Sequence, residues 1–195
     1  MTDSPFPSPQ PRAAVVGGGP AGLMAAEVLS AAGHAVDLFD AMPSVGRKFL
    51  LAGRGGLNLT HSEPAPAFLA RYGQRSEQLR DAVGAFDAAA VRAWASDLGI
   101  ATFVGTSGRV FPADMKAAPL LRAWLQRLRA TGVRVHTRHR WTGWAETGAL
   151  RFATPHGEAS HSADATVLAL GGASWRRLGS DGAWVPWLEP RGVRV

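Results

Sequence analysis

Ala13-Ala14-Val15-Val16-Gly17-Gly18-Gly19-Pro20-Ala21-Gly22 is the stretch whose reading decides the fold. The apolar run Ala13–Val16 reads as a buried strand that stops at glycine. Ala21–Ala32 follows with good helix formers, and Gly33 stands where a helix C-terminal glycine belongs. Ala35–Phe39 reads as a second strand ending on Asp40. This is a βαβ unit, and its first turn fits G-x-G-x-x-G through Gly17, Gly19 and Gly22. Gly17 permits the tight turn out of the strand. Gly19 lets the backbone approach a pyrophosphate, and Gly22 lets the helix pack closely on the sheet. Free N–H groups and the positive end of the helix dipole favour phosphate there. Asp40, about 20 residues on, can accept hydrogen bonds from ribose hydroxyls. A lone G-x-G-x-x-G is a weak signal, but here it follows a strand, opens a helix and has its acidic partner. The reading is a dinucleotide-binding turn. An acid at position 40 also repels a phosphorylated ribose, which disfavours NADP. These residues do not choose between FAD and NAD.

Working outward, Ala41–Ser62 is glycine-rich, carries Arg47, Lys48 and Arg54, and is too long for a simple connection. Pro64–Gly84 reads as short helices. Asp87 caps a helix to about Leu98 that Gly99 ends. Asp114 is expected to cap a longer helix through Ala130, whose Leu120, Leu121, Trp124, Leu125 and Leu128 recur at helical spacing; Trp124 is read as core. Val133–Val135 reads as a strand. Arg140–Ala145 and Leu150–Thr154 read as a hairpin around Thr147-Gly148, with Ala159–Ser162 as a third strand. Ala165–Leu170 is a continuous apolar run that stops at Gly171-Gly172, like a buried parallel strand leading to a ligand loop. Asp181 to about Arg191 reads as a helix.

The composition sets limits. Hydrophobic residues are 46% and charged residues 18% of the 195, an ordinary globular balance. The net charge is +6, carried by arginine apart from Lys48 and Lys116. No basic run is interleaved with aromatics, so the charge reads as a solvated surface or an anion-binding cleft rather than a nucleic-acid face. With no cysteine, thiol chemistry is excluded, and redox chemistry needs a bound cofactor. No apolar run reaches the roughly 20 residues of a membrane span. Residues 1–12 are Pro- and Ser-rich without an apolar signal core and read as a disordered leader; the expected location is the cytoplasm. Residues 13–195 are read as one domain.

The antiparallel strands placed between the βαβ unit and the later parallel strand resemble the two-dinucleotide-fold flavoproteins, in which a β-meander links the halves of the FAD domain. The short-chain dehydrogenases are a poor match. Their glycine spacing is absent, and Tyr72, the only tyrosine, has Ser76 where their lysine would stand. The segment Gly46-Arg47-Lys48-Phe49-Leu50-Leu51-Ala52-Gly53-Arg54-Gly55-Gly56-Leu57-Asn58-Leu59-Thr60-His61 resembles the flavin loop of the BaiN/YhiN-like, or aminoacetone-oxidase-like, flavoproteins. Gly108-Arg109-Val110-Phe111-Pro112 resembles a further block of that family. So does Val167–Ser174 together with Gly179-Ser180-Asp181-Gly182. The resemblance covers nearly everything from Ala13 onward. Many relatives carry Gly-Arg-Cys-Asn where this chain has Gly55-Gly56-Leu57-Asn58, so it looks like a variant branch.

The resemblance implies an α/β Rossmann-like fold with a meander and a helical insertion, FAD as cofactor, and a chain that is the N-terminal part of a longer flavoprotein. It places Gly17, Gly19, Pro20, Ala21 and Gly22 at the pyrophosphate and Asp40 at the ribose. Arg47 and Lys48 would neutralise phosphate or ribose-side charge, Asn58 would approach the flavin, and backbone near Trp141 would meet the adenine. Gly171 and Gly172, in the ligand loop after Leu170, would be further cofactor-binding residues. The implied activity is hydride exchange with a small organic substrate, with NAD(P)H or oxygen as electron partner. The rivals are a tRNA-modifying flavoprotein and a nucleotide-binding remnant without turnover. His61 is a weaker candidate as proton donor. His136 and His139 do not align as metal ligands, and no metal is expected. Asp181 reads as a cap or turn residue. No catalytic base is identified.

Overall fold

The computed structural model describes residues 10–194. In chain order they form β1 (Arg12–Val16), α1 (Pro20–Ala31), β2 (Ala35–Phe39), α2 (Arg47–Ala52), β3 (Thr60–His61), α3 (Ala65–Ala70), α4 (Ser76–Ala85), α5 (Ala88–Asp97), β4 (Thr102–Val104), β5 (Arg109–Pro112), α6 (Ala117–Ala130), β6 (Arg134–His136), β7 (Arg140–Trp144), β8 (Leu150–Thr154), β9 (Gly157–His161), β10 (Ala165–Leu168) and α7 (Val185–Leu188). The chain divides into two compact units, one of residues 1–48 and 128–195, the other of residues 49–127.

The first unit holds the βαβ start. Its sheet has the order β10-β1-β2-β6 and is parallel throughout. The expected parallel strand before Gly171 is β10, in register with β1 from Ala13↔Ala165 to Val16↔Leu168. Helix α1 buries Gly22, Leu23 and Ala26. It ends in a Schellman motif: His34 N donates to Leu29 O and Gly33 N to Ser30 O, with Gly33 at φ +85°. A second sheet, β7-β8-β9, is the antiparallel meander read from the alternating pattern. Ala14, Val16 and Phe39 share a core with Trp141, Leu150 and Phe152, where Phe39 and Phe152 stack at 4.3 Å.

Asp37 lies in that same core with 2% of its surface exposed. Arg134 grips it with two bonds, Nε–Oδ1 at 2.9 Å and Nη2–Oδ2 at 2.6 Å, and His136 Nε2 meets Oδ1 at 2.7 Å. His161 Nε2 stands 3.6 Å away, so β9 of the meander is charge-coupled to β2. Burial acts to raise the Asp37 pKa. The bonds from Arg134 and His136 and the nearby charges outweigh it, and the net shift is downward.

The second unit carries the helical insertion. Leu57, Ala95, Ala117 and Leu120 form its core, with Phe49, Trp94 and Ile100 against them. Trp124 is buried and meets the Trp94 ring edge-on at 4.7 Å, so the core reading of this tryptophan stands. Asp87 caps α5 through Ala90 N at 2.8 Å.

Several expectations need correction. Strand β1 starts at Arg12, one residue earlier than read; residues 1–9 of the expected leader lie outside the described residues. The glycine-rich connection contains α2 and β3. A small antiparallel sheet, β3-β5-β4, was not anticipated, because strands this short show no period. Asp114 does not cap α6: its Oδ1 accepts from Lys116 N, closing a turn before the helix begins at Ala117. The helix expected over Asp181–Arg191 shrinks to α7 and a 3-10 turn at Glu189–Arg191, since Pro190 supplies no N–H to continue it.

Candidate functional site

Where β1, β2 and β10 end, the first unit opens a cavity of about 240 Å³. Of the residues singled out in the sequence, Gly17, Gly19, Pro20, Ala21, Asp40, Arg47, Lys48, Trp141 and Gly171 line it. Gly22 and Gly172 stand beside it without lining it. Gly22 is the packing contact of α1. Gly172 O accepts the Ser180 hydroxyl. Asn58 belongs to the second unit; with its amide turned to donate, it bonds Thr60 O at 2.8 Å and Val110 O at 3.3 Å.

The glycines play different parts. Gly17 has φ +111°, and a Cβ there would overlap the carbonyl oxygen of Ala169 just after β10. At Gly19 a Cβ would meet nothing within 4 Å. Its hydrogen therefore faces open space in the cavity wall, where a methyl group would take room from a ligand. Gly19 is also the N-cap of α1, and no side chain caps that end. No acid sits in the first turn, so the positive end of the helix dipole is left for an anion.

Asp40 is fixed by backbone the sequence reading had not used. Gly18 N donates to Oδ2 at 2.7 Å and Met42 N to Oδ1 at 2.7 Å. Each oxygen keeps a second lone pair, so the carboxylate can still accept from ribose hydroxyls. Burial pushes the Asp40 pKa up, against the two backbone bonds and the Arg47 guanidinium. The second glycine, Gly18, was missed although it is adjacent to both motif glycines; a Cβ on it would come within 2.7 Å of Asp40 Oδ2.

The cations sit on α2. Lys48 Nζ donates to Ser174 O at 3.2 Å, holding the loop after β10. Arg47 Nη1 donates to Ser44 Oγ at 3.3 Å, while its Nε is buried without an acceptor. Trp141 Nε1 and Trp184 Nε1 are in the same condition, and both residues line the cavity. Trp184 was not foreseen; it follows the Gly179–Gly182 block, where Asp181 makes the expected turn by accepting from Ala183 N at 3.1 Å. That bond, with help from Arg140, holds the Asp181 pKa below the ordinary carboxylate range.

His61 lies in the second unit. Its Nδ1 accepts from Glu63 N at 3.2 Å and its Nε2 faces Ser107 O at 2.9 Å. Both nitrogens are thus engaged, with the proton on Nε2. Among the described residues no group of three or more His, Cys, Asp or Glu is arranged to hold a metal ion, and no helix is long and apolar enough to cross a membrane.

The turn, the parallel sheet and the meander match a known domain, the HI0933-like protein Rossmann domain, over residues 11–195. The chain belongs to the HI0933-like family. This is the BaiN/YhiN group that the sequence blocks resemble, and its Rossmann domain is of the FAD-binding kind. A 3-dehydro-bile acid delta(4,6)-reductase of Clostridium scindens is 27% identical over 174 residues, 88% of this chain and 42% of that protein. Among solved structures, the open conformation of a flavocytochrome c3 fumarate reductase matches with a TM-score of 0.61 at 19% identity, covering 94% of this chain and 41% of that one. THI4 of Thermovibrio ammonificans matches at 0.56 and 18% identity, covering 95% and 64%. These structural likenesses show a shared Rossmann-like fold. The chain spans less than half the length of the bile acid reductase.

Proposed function

We propose that this chain is the FAD-binding part of a flavin-dependent oxidoreductase acting on a small organic molecule. The observation that carries the reading is the cavity itself. An uncapped helix N-terminus, an acid at the end of β2 and two cations on α2 meet around one opening. In this reading the N–H groups of Gly19 and Ala21 take the pyrophosphate. Asp40 orients the ribose by accepting its hydroxyls. Arg47 and Lys48 offset the phosphate charge, and Trp141 and Trp184 flank the base as part of the cavity wall. When bound, the flavin supplies two-electron hydride chemistry, for which the chain has no cysteine substitute. The kinship to the bile acid reductase supports a reductive role.

The test is an absorbance spectrum of the purified chain after FAD is added and the excess removed. Flavin bands that stay with the protein, and weaken in Gly19→Val and Asp40→Ala, are the expected result. A purified chain that retains no flavin after incubation with excess FAD would overturn the reading. Bleaching of the bound flavin by NADH under anaerobic conditions identifies a nicotinamide as the electron partner.

A further inference from the structure

One wall of the nucleotide cavity comes from a single segment after β10, which contributes Leu178, Gly179, Ser180, Asp181, Ala183 and Trp184. No sheet holds this wall. From Gly171 to Arg191 the chain forms only the short α7 and two 3-10 turns. A helix of one turn does not hold its own place in water. The first half of the segment is tied by hydrogen bonds, the Ser180 hydroxyl donating to Gly172 O and Lys48 Nζ to Ser174 O. In the second half the backbone bonds are local, with Val185 N donating to Gly182 O, Trp187 N to Trp184 O and Val193 N to Leu188 O. Its place is therefore set by what its side chains touch.

Those side chains meet β7, and β7 is shaped to receive them. Its register with β8 shifts between Trp141 and Trp144. Gly143, buried within that irregularity, has φ +103°. A Cβ on it would stand 3.1 Å from Trp187 Cε3 and 3.4 Å from Cδ2, so the indole lies directly on the glycine. Glycine is required here twice, for the backbone angle and for the close approach. On either side the contacts are more exposed. The Arg191 guanidinium lies 4.0 Å over the Trp144 ring, and Arg140 Nη1 meets Asp181 Oδ2 at 3.4 Å. Partly solvated pairs of this kind contribute little. Trp187 follows Trp184 by three residues, so the two project from one face of the same helical turn. Trp184 lines the cavity and packs on the core of Phe39, Trp141 and Phe152. Trp187 and Gly143 do not line it.

We propose that Gly143 and Trp187 are positioning residues of the nucleotide cavity. Gly143 is a socket that seats the Trp187 ring, and through one helical turn that seat fixes Trp184 in the cavity wall. The proposal rests on the nucleotide reading of the cavity. Neither residue touches the ligand. Without the indole, the wall keeps its Ser180 tether at one end and only weak contacts at the other, so a bound nucleotide leaves sooner. An indole that served the fold alone would lower the melting temperature and leave the release rate from the folded protein unchanged.

The experiment follows FAD release from the full 195-residue chain by flavin fluorescence after dilution, well below the melting temperature. Trp187→Ala is expected to speed release about tenfold, within the coupling range of residues in contact, and Trp187→Phe to recover most of the loss. Gly143→Ala should speed release in the parent and add nothing in the Trp187→Ala background, although its backbone angle costs stability in both. Trypsin cleavage after Arg191 in the flavin-free chain is the second readout, and Trp187→Ala should make it faster. Unchanged release in Trp187→Ala, or an equal effect of Gly143→Ala with and without Trp187, would overturn the proposal. A parent that retains no flavin overturns the nucleotide reading, and trypsin then decides the socket by itself. Faster cleavage in Trp187→Ala sustains the seat on Gly143, and unchanged cleavage overturns it.

Discussion

Gly22, in the first turn of α1, stands so close to Gly17 that a Cβ on it would overlap the Gly17 carbonyl oxygen and reach the Ala169 Cβ at 3.3 Å. Helix, turn and the exit of β10 are packed backbone to backbone at this point. A methyl group has no flexible neighbour to displace. Gly22→Ala should therefore cost about 1–3 kcal/mol of folding stability, the range for overpacking a tight site. Chemical denaturation measures it, and an unchanged midpoint would show that α1 can lift away from the turn.

Gly19 gives the opposite expectation. Its Cβ position is open, so Gly19→Ala should leave stability within about 0.5 kcal/mol of the parent, as surface changes do. FAD affinity should nonetheless fall at least tenfold, because the methyl group takes the space a pyrophosphate needs. Fluorescence titration of FAD beside a thermal melt separates the effects. Equal loss in both would mean that Gly19 serves the fold instead of the ligand.

Asp40 should give the cofactor site a pH dependence. A ribose hydroxyl donates to the ionised carboxylate, and burial sets that group's pKa above the ordinary range. Affinity for FAD should then be full at neutral pH and decline as pH falls through this raised value, earlier than an exposed aspartate would cause. Asp40→Asn should flatten the profile and weaken binding at neutral pH. It also removes one of the two backbone acceptors, so a modest loss of stability should accompany it. A wild-type profile that stays flat down to the ordinary carboxylate range would sink this role.

The Asp37 cluster should make folding stability pH-dependent in the same direction by another route. His161 is pushed below the ordinary imidazole range, first by burial, with Arg12, His136 and Arg134 adding to it against the pull of Asp37. Its unfolded form takes up a proton that the folded form resists, so stability is present above the ordinary imidazole value and is lost as pH falls through it towards the depressed one. Asp37, also depressed in the fold, adds a second loss below the ordinary carboxylate value. Denaturation midpoints should fall in two stages from neutral to acid pH. His161→Gln should remove the first stage and Asp37→Asn the second. Asp37→Asn should also cost about 1–3 kcal/mol at neutral pH, because it weakens the bonds from Arg134 and His136. A single late transition in the wild type would contradict the His161 part.

Much of the fold was legible because its elements obey strong local rules. The apolar residues of β1 run up to glycine, those of β2 alternate before Asp40, and the hairpin of β7 and β8 alternates around Thr147-Gly148. Helix α6 shows its buried Leu120, Leu121, Trp124 and Leu128 at helical spacing. The sheet of β3, β5 and β4 was not legible, since a two-residue strand such as Thr60–His61 has no period to read. The stretch after Asp181 reads as a helix by composition, but Pro190 breaks the hydrogen-bond ladder. At the site, the residues found by motif were the ones whose backbone needs are local. Trp184 and Gly18 were missed because their importance lies in what faces them.

The sequence by itself determined the βαβ unit, the glycine turn and the acid at the end of β2, because steric freedom at glycine and apolar period are properties of neighbouring residues. Only the tertiary structure decided what those residues touch. Asp40 is aimed by the N–H of Gly18, 22 residues away. Asp37 is buried among side chains that include Arg134 and His136, 97 and 99 residues distant. Nothing local distinguishes Asp37 from an exposed strand aspartate. Its burial follows from the meander folding over the parallel sheet, and its charge is tolerated there because those distant partners arrive with it.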